Sequence, residues 1–495
     1  MNLTRLKDLY QQYEEKPLVW LTILLLVIFA LHGKPVPSIN EYVYLLRLKP
    51  DFLINDWTFS QPANEHWFFN TIFGIPAHFL SVEAIGWIGR LLVWTVCSLG
   101  LIKIGQTLGI RYWQTVASIV VWLDMGQGAL TVEWIFGGFE AKTIAYCFLL
   151  FALAGFAVRS VTLPSIFLGL TFSFHPAVGL WAIGAVGVSL LLLRTGFPDL
   201  VKSAVLIILF ASPMLIHLLL NTDSIKPASS ADWELIVRSV FAHHFDVSHF
   251  NHRNMLWLIL MLVFNVVATW KSENFAVRFF RNFQIVLGVF FAGGVLIYFC
   301  GAFSLLGYMP MRLFPLFTPL LFLYTAFYVI PRIESRTVML AATVFVVSII
   351  GVHDPSFNSI REIKKTVSSW RNQPDDLTQA YKWIAKNTPE TSTLLNPPTS
   401  TEVWYYSERA SVVAFWYPVY DRLGDWHSRI VDLTGNSIKI DQYTLTNIES
   451  AFNALSEEEI DRLGIKYNAT HLVSKTAYSY PILFETETYK VYLLK

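Results

Sequence analysis

Eleven apolar runs crowd the first 352 residues of this 495-residue chain, more than a soluble core could cover. A bilayer crossing takes about 20 mostly apolar residues, fewer where protein lines the path. On that measure spans are predicted near 17–32, 84–107, 112–125, 141–158, 162–174, 177–194, 202–220, 254–270, 283–305, 312–331 and 336–352. With 54% hydrophobic and 15% charged residues the composition is that of a polytopic α-helical membrane protein, and 17 Trp and 38 Phe suit lipid-facing and interfacial surfaces. The net charge of +1 names no partner, and no nucleic acid is expected. Cys97, Cys147 and Cys300 all fall in apolar runs, which suggests neither a disulfide framework nor a thiolate metal site. No small-residue cleavage site follows the first run, so 18–31 reads as a retained helix rather than a signal peptide.

Cations set the topology. With a cytoplasmic N-terminus, the inside loops hold Arg5, Lys7 and Lys16, then Arg111, Arg159, Arg194 with Lys202, the run Lys271, Arg278 and Arg281, and Arg332 with Arg336. An odd number of spans then places the polar tail outside, in a multi-pass protein of a bacterial inner membrane. The expected division is 1–352 as the transmembrane domain and 353–495 as an extracytoplasmic α/β domain. In that tail DLTQAYKWIAKN reads as an amphipathic helix, TLLNPP and ASVVAFWYP as strands, IESAFNALSEEEIDRLGIKY as a second helix, and THLVSK and YKVYLLK as closing strands.

The outer loops carry the chemistry. The first, 33–83, holds Glu41, Asp51, Asp56 and Glu65-His66, with EYVYLLRL reading as an amphipathic stretch for the interface. The second, GQGALTVEWIFGGFEAK, holds Glu133, Glu140 and Lys142, and its Gly137-Gly138 pair would let backbone approach a ligand. SFHPAVG places His175 at the boundary, FAHHFDVSHFNHR brings His243 and His244, and Arg312 opens the tenth span from the same side. Singly, each has an ordinary reading: solvated acids, a turn histidine, a helix-start acid beside a snorkelling lysine, a headgroup-anchoring arginine. The histidine spacing matches no zinc motif. What resists the ordinary reading is coincidence, because acid, lysine, arginine and histidine from five segments share one membrane face.

With Ser38-Ile39-Asn40-Glu41-Tyr42 opening a long first outer loop that runs to Asp56-Trp57, and Tyr381-Lys382-Trp383-Ile384-Ala385-Lys386-Asn387-Thr388-Pro389-Glu390 heading the tail, the chain resembles the GT-C superfamily of integral-membrane glycosyltransferases. The resemblance implies a GT-C-like fold of about 11 transmembrane helices and a polyprenyl-phosphate-sugar donor. The acceptor would be a lipid, glycan or protein. It also implies Glu41 as base and Asp56 as an orienting acid, with Lys142 and Arg312 clamping the phosphate. Glu133, Glu140, His175, His243 and His244 would contact donor or acceptor. A divalent cation is the one cofactor in question; Asn40-Glu41 departs from the family's acidic pair, and the outer membrane loops hold no Asp-x-Asp. Two rival readings are a non-catalytic subunit of polysaccharide assembly and a transporter or flippase of lipid-linked glycans. Of these, a transport path would have little beyond Asp124 and His217 to line it.

Overall fold

A computed structural model describes residues 14, 16–49, 51–222, 226–351, 359–435, 438–439 and 442–494. Contacts divide the chain into two compact units. The first holds Met1–Pro35, Trp87–Ile216 and His243–Trp370, and the second Val36–Gly86, His217–Ala242 and Arg371–Lys495. The boundary expected at 352/353 lies outside the described residues.

A helix stands at each of the eleven expected positions: α1 Pro17–His32, α2 Val82–Thr107, α3 Tyr112–Asp124, α4 Ala141–Ala157, α5 Thr162–Phe174, α6 Pro176–Leu192, α7 Phe197–Leu220, α8 His252–Thr269, α9 Phe275–Phe299, α10 Leu313–Val329 and α11 Arg336–Gly351. Five of them, counting α10 through Arg332, are long and apolar enough to cross a membrane. The other six are 13 to 17 residues long, so helix length alone does not establish eleven crossings. The break between α5 and α6 is local chemistry. Pro176 lacks an N–H, which suits it to the first helical turn, and His175 takes an extended backbone and accepts the Val178 N–H at 3.3 Å.

The ninth helix starts eight residues before the expected 283. Asn274 caps it by accepting the Val277 N–H at 3.3 Å. The charge of Arg281, which argued against a span there, is absorbed by the end of α8, where its guanidinium donates to the carbonyls of Thr269 and Trp270, each at 3.0 Å. Two helices form the interior of this unit. Almost all of α4 is buried, as is every residue of α10 from Leu313 to Ala326. These are the helices whose starts carry Lys142 and Arg312.

The second unit is built on a mixed sheet of β1 Thr393–Leu395, β2 Ala410–Ser411, β3 His471–Ser474, β4 Ile482–Glu485 and β5 Lys490–Leu493, in the order β2-β1-β3-β5-β4. The β1 strand pairs in parallel with β2 and β3, while β5 is antiparallel to β3 and β4. Side chains alternate between two cores, as the two-residue period of a strand requires. Leu394, Val473 and Val491 meet Ala380, Tyr381 and Ile384 of the helix Asp376–Asn387, whereas Leu395, Leu472 and Tyr492 meet Trp426, Ile430, Phe452 and Leu463. The single helix expected over 448–467 is two, Leu445–Asn453 and Glu457–Tyr467. Ser456 caps the second by accepting the Glu459 N–H at 3.3 Å, while the Glu459 carboxylate accepts the Ser456 N–H at 2.8 Å.

Both cores recruit distant segments. Val43 and Leu46 join the first, and Leu235, Ile236 and Val240 the second. The stretch EYVYLLRL, expected to lie in the membrane interface, is instead core of this unit: Val43, Leu45, Leu46 and Leu48 are buried. Val43 and Leu46 pack into the core on one sheet face together with the helix Asp376–Asn387. Leu394→Ala, by emptying the centre of that face, is expected to cost about 2–5 kcal/mol in stability. Thermal unfolding of the whole chain reads this as an early loss of the sheet signal.

Candidate functional site

Glu133 is fully buried, yet it is the hub of the first unit's ionic cluster. Its Oε2 accepts from Arg312 Nε at 2.7 Å, and its Oε1 accepts from the Tyr146 hydroxyl at 3.1 Å and lies 3.8 Å from Lys142 Nζ. Lys142 Nζ also sits 3.6 Å from Glu140 Oε2 and 3.5 Å from the centre of the Trp134 ring, a cation–π geometry. Arg312 further places Nη1 3.4 Å from His175 Nε2 and 2.9 Å from Met309 Sδ. Burial alone would raise the Glu133 carboxyl, but the charges of Arg312 and then Lys142 outweigh it and hold the group below its ordinary range.

The loop before α4 aims Glu133 inward. Gln127 braces it, its Oε1 accepting the Ile135 and Phe136 N–H groups at 2.8 and 2.9 Å and its Nε2 donating to the Phe136 carbonyl at 2.9 Å. Gly137 serves packing, since a Cβ there would meet the Trp134 ring at 2.5 Å. The Trp134 indole N–H is buried with no acceptor among the described residues. His243 is held down to about pKa 4, by burial first and then the charge of Lys142, and is neutral at physiological pH. Its ring centre lies 4.2 Å from that of His244, which burial likewise lowers.

The predicted residues Glu133, Glu140, Lys142, His175 and Arg312 thus converge through direct contacts, with His243 in their electrostatic field. One expectation changes: Lys142 and Arg312 are not bare clamps, because their charges are matched by Glu133 and Glu140. Sequence reasoning missed Trp134, Tyr146 and Gln127. Trp134 and Tyr146 were visible as polar-tipped aromatics one residue from Glu133 and one helical turn past Lys142.

Glu41 and Asp56 belong to the second unit. Glu41 opens the turn Glu41–Tyr44 and is fully buried, not solvated as its place past the first span suggested; its Oε2 accepts the Ser38 N–H at 3.0 Å. Asp56, expected as an orienting acid, is held by four N–H donors. Its Oδ1 caps Trp57–Ser60 by accepting the Thr58 and Phe59 N–H groups at 2.7 and 3.0 Å, and its Oδ2 accepts from Trp404 Nε1 at 2.7 Å and the Ser411 N–H at 2.8 Å. Burial pushes its carboxyl up and the four donors pull it back in part. Asp51 is exposed, as expected.

The residues present do not fit a divalent cation. Among the described residues no three His, Cys, Asp or Glu side chains converge, and both Asp56 oxygens are taken. Within FAHHFDVSHFNHR, Asp246 Oδ1 accepts from Ser248 and Tyr298, and its Oδ2 meets His249 Nδ1 at 3.1 Å.

Glu133→Gln leaves two buried cations short of a counter-charge and is expected to cost about 3–5 kcal/mol. The depressed carboxyl contributes stability that is complete above its ordinary value of 4.5 and is lost as pH falls through its lowered folded value. Thermal unfolding across pH should therefore show the native chain weakening below pH 4.5, with Glu133→Gln less stable at neutral pH and flatter in acid.

No protein-family model and no curated protein matches this chain. Solved structures do. The oligosaccharyltransferase AglB of Archaeoglobus fulgidus, in complex with an inhibitory peptide and dolichol-phosphate, matches at TM-score 0.51 and 12% identity over 94% of this chain and 70% of its own. An Archaeoglobus fulgidus oligosaccharyltransferase tethered with an acceptor peptide matches at TM-score 0.50 and 12% identity with the same coverage. A mutant of the arabinofuranosyltransferase AftD from Mycobacteria matches at TM-score 0.51 and 12% identity over 97% of this chain, which spans only 41% of that protein. At 12% identity this likeness shows the fold alone: the chain has the fold that this oligosaccharyltransferase and this arabinofuranosyltransferase share.

Proposed function

We propose that this chain is a membrane glycosyltransferase that transfers a sugar from a polyprenyl-phosphate-linked donor to a lipid, glycan or protein acceptor at the outer face of the membrane. The observation that carries the reading is the ionic cluster of the first unit, where Arg312 and Lys142 sit buried at the starts of two interior helices. That a neighbour of the same fold was solved with dolichol-phosphate supports the choice of donor.

In this reading the bond between sugar C1 and phosphate oxygen breaks, and the acceptor oxygen bonds to C1. The departing phosphate gathers negative charge. Lys142 and Arg312, oriented beforehand by Glu140 and Glu133, stabilise that charge in a site poor in water, where fixed cations act strongly. The buried indole N–H of Trp134 supplies a donor for a phosphate oxygen. Neutral His243 contributes as a hydrogen-bond donor rather than a charge. Glu41 takes the acceptor proton, a role that rests on the first-loop resemblance.

Arg312→Gln and Lys142→Gln are each expected to weaken binding of a polyprenyl phosphate about 10- to 100-fold, the worth of one charge-assisted contact. Unchanged binding in both variants overturns the assignment. Glu41→Gln keeps an acceptor for the Ser38 N–H and is expected to lower transfer about 10²- to 10⁴-fold. Asp51→Asn should stay near the native rate, and full activity of Glu41→Gln would favour a non-catalytic subunit.

The proposed topology has the 271–274 loop cytoplasmic and the C-terminal residues outside. Cys97 and Cys147 are buried and Cys300 is exposed, so labelling belongs in a Cys300→Ser background. In sealed cells an impermeant maleimide should label Glu458→Cys directly and Glu273→Cys only after permeabilisation. The reverse pattern rejects the outer-face reading.

A further inference from the structure

The last helix of the first unit is α12, Ser359–Ser369, with the sequence SIREIKKTVSS followed by Trp370. At about 100° per residue, positions 360, 363, 367 and 370 fall on one stripe of the helix. That stripe is apolar and faces outward: Ile360 is 66% exposed, Ile363 37%, Val367 45% and Trp370 55%. Lys364 borders it and Arg361 lies beyond on the polar side, so the helix carries three bases against one acid.

The helix is fastened at both ends to the ends of apolar helices. Its first N–H, from Ser359, donates to Asp124 Oδ1 at 3.1 Å, at the C-terminus of α3. At the C-terminus of α1, Thr366 Oγ1 donates to the Leu31 carbonyl at 2.9 Å and Trp370 Nε1 to the Gly33 carbonyl at 2.8 Å, while Lys34 Nζ lies 3.6 Å from Glu362 Oε2. These contacts satisfy carbonyls that a helix terminus leaves open. Because α1 and α3 pack together, α12 bridges their two C-terminal ends.

We infer that α12 lies in the membrane interface, with Ile360, Ile363, Val367 and Trp370 inserted at the headgroup boundary and Lys364 and Arg361 on the phosphates of an anionic phospholipid. The physical reason is the match of three surfaces. One face is held by protein, the next is apolar and uncovered, and the third is cationic, which is the composition of a helix that binds an anionic bilayer surface. The inference depends on the first unit being embedded in a membrane. It is independent of any sugar-transfer activity.

The whole chain, in a Cys300→Ser background and reconstituted into vesicles of phosphatidylcholine with phosphatidylglycerol, carries one nitroxide in turn at 363, 364, 367 and 368. Oxygen should out-collide a water-soluble nickel chelate at 363 and 367, with the reverse at 364 and 368. A bimane at 367 should be quenched more by brominated phosphatidylglycerol than by brominated phosphatidylcholine. Lys364→Gln should reduce that preference about fivefold, the worth of one lysine near an anionic surface. Nickel access at 363 and 367 places the stripe in water, and exclusion of both reagents there places it under protein; either result overturns the inference. Equal quenching by the two lipids overturns its anionic part.

Discussion

Four charges buried together are the constraint around which the first unit is organised. The side chains of Glu133, Glu140, Lys142 and Arg312 are 9% exposed or less. An ion withdrawn from water costs several kcal/mol, recovered only with an opposite charge at hydrogen-bonding range and its remaining lone pairs filled. Glu133 meets that demand through Arg312, Lys142 and Tyr146 at once, which requires the loop before α4, the first turns of α4 and the start of α10 to hold one arrangement. Gln127 and Gly137 follow from this need. The cluster balances two acids against two bases.

The contrast with Asp56 shows why burial of a carboxylate does not identify a catalytic group. Asp56 and Glu133 are both inaccessible to solvent. Asp56 accepts from four N–H groups, two from its own turn and two from Trp404 and Ser411, with the charges of Arg47 and Arg429 acting from farther off, and it joins the first loop to the sheet. Glu133 is surrounded by mobile-proton groups and full charges. Two oxygens filled by four fixed donors leave nothing for a substrate, whereas an ion pair can be redistributed when a ligand brings charge of its own.

The apolar runs by themselves determined that the chain would form eleven hydrophobic helices, because a run of such residues has no other way to satisfy its backbone away from water. They also determined which loops would carry acids and bases, and the helix and strand of 376–395 and the strands at 471–474 and 490–493 were legible from local pattern, whereas β4, Ile482–Glu485, was not. Boundaries were less legible where a distant group changed the cost. Arg281 argued against helix at 275–282 until the carbonyls of α8 were there to receive it, and Ser456 divided one amphipathic pattern into two helices through a cap whose apolar spacing gives no sign of a break.

Only the tertiary structure decided partners. Glu133, Lys142 and Arg312 are separated by up to 179 positions, and nothing in their local sequence says that Arg312 meets Glu133 rather than a lipid headgroup. The same holds for Asp56, whose role turned on Trp404 and Ser411 some 350 positions away, and for EYVYLLRL, whose amphipathic pattern suits a membrane surface and a sheet face equally well. Periodicity records that a side is apolar. What covers that side, and which counter-charge reaches a buried ion, depends on the long-range packing of the folded chain.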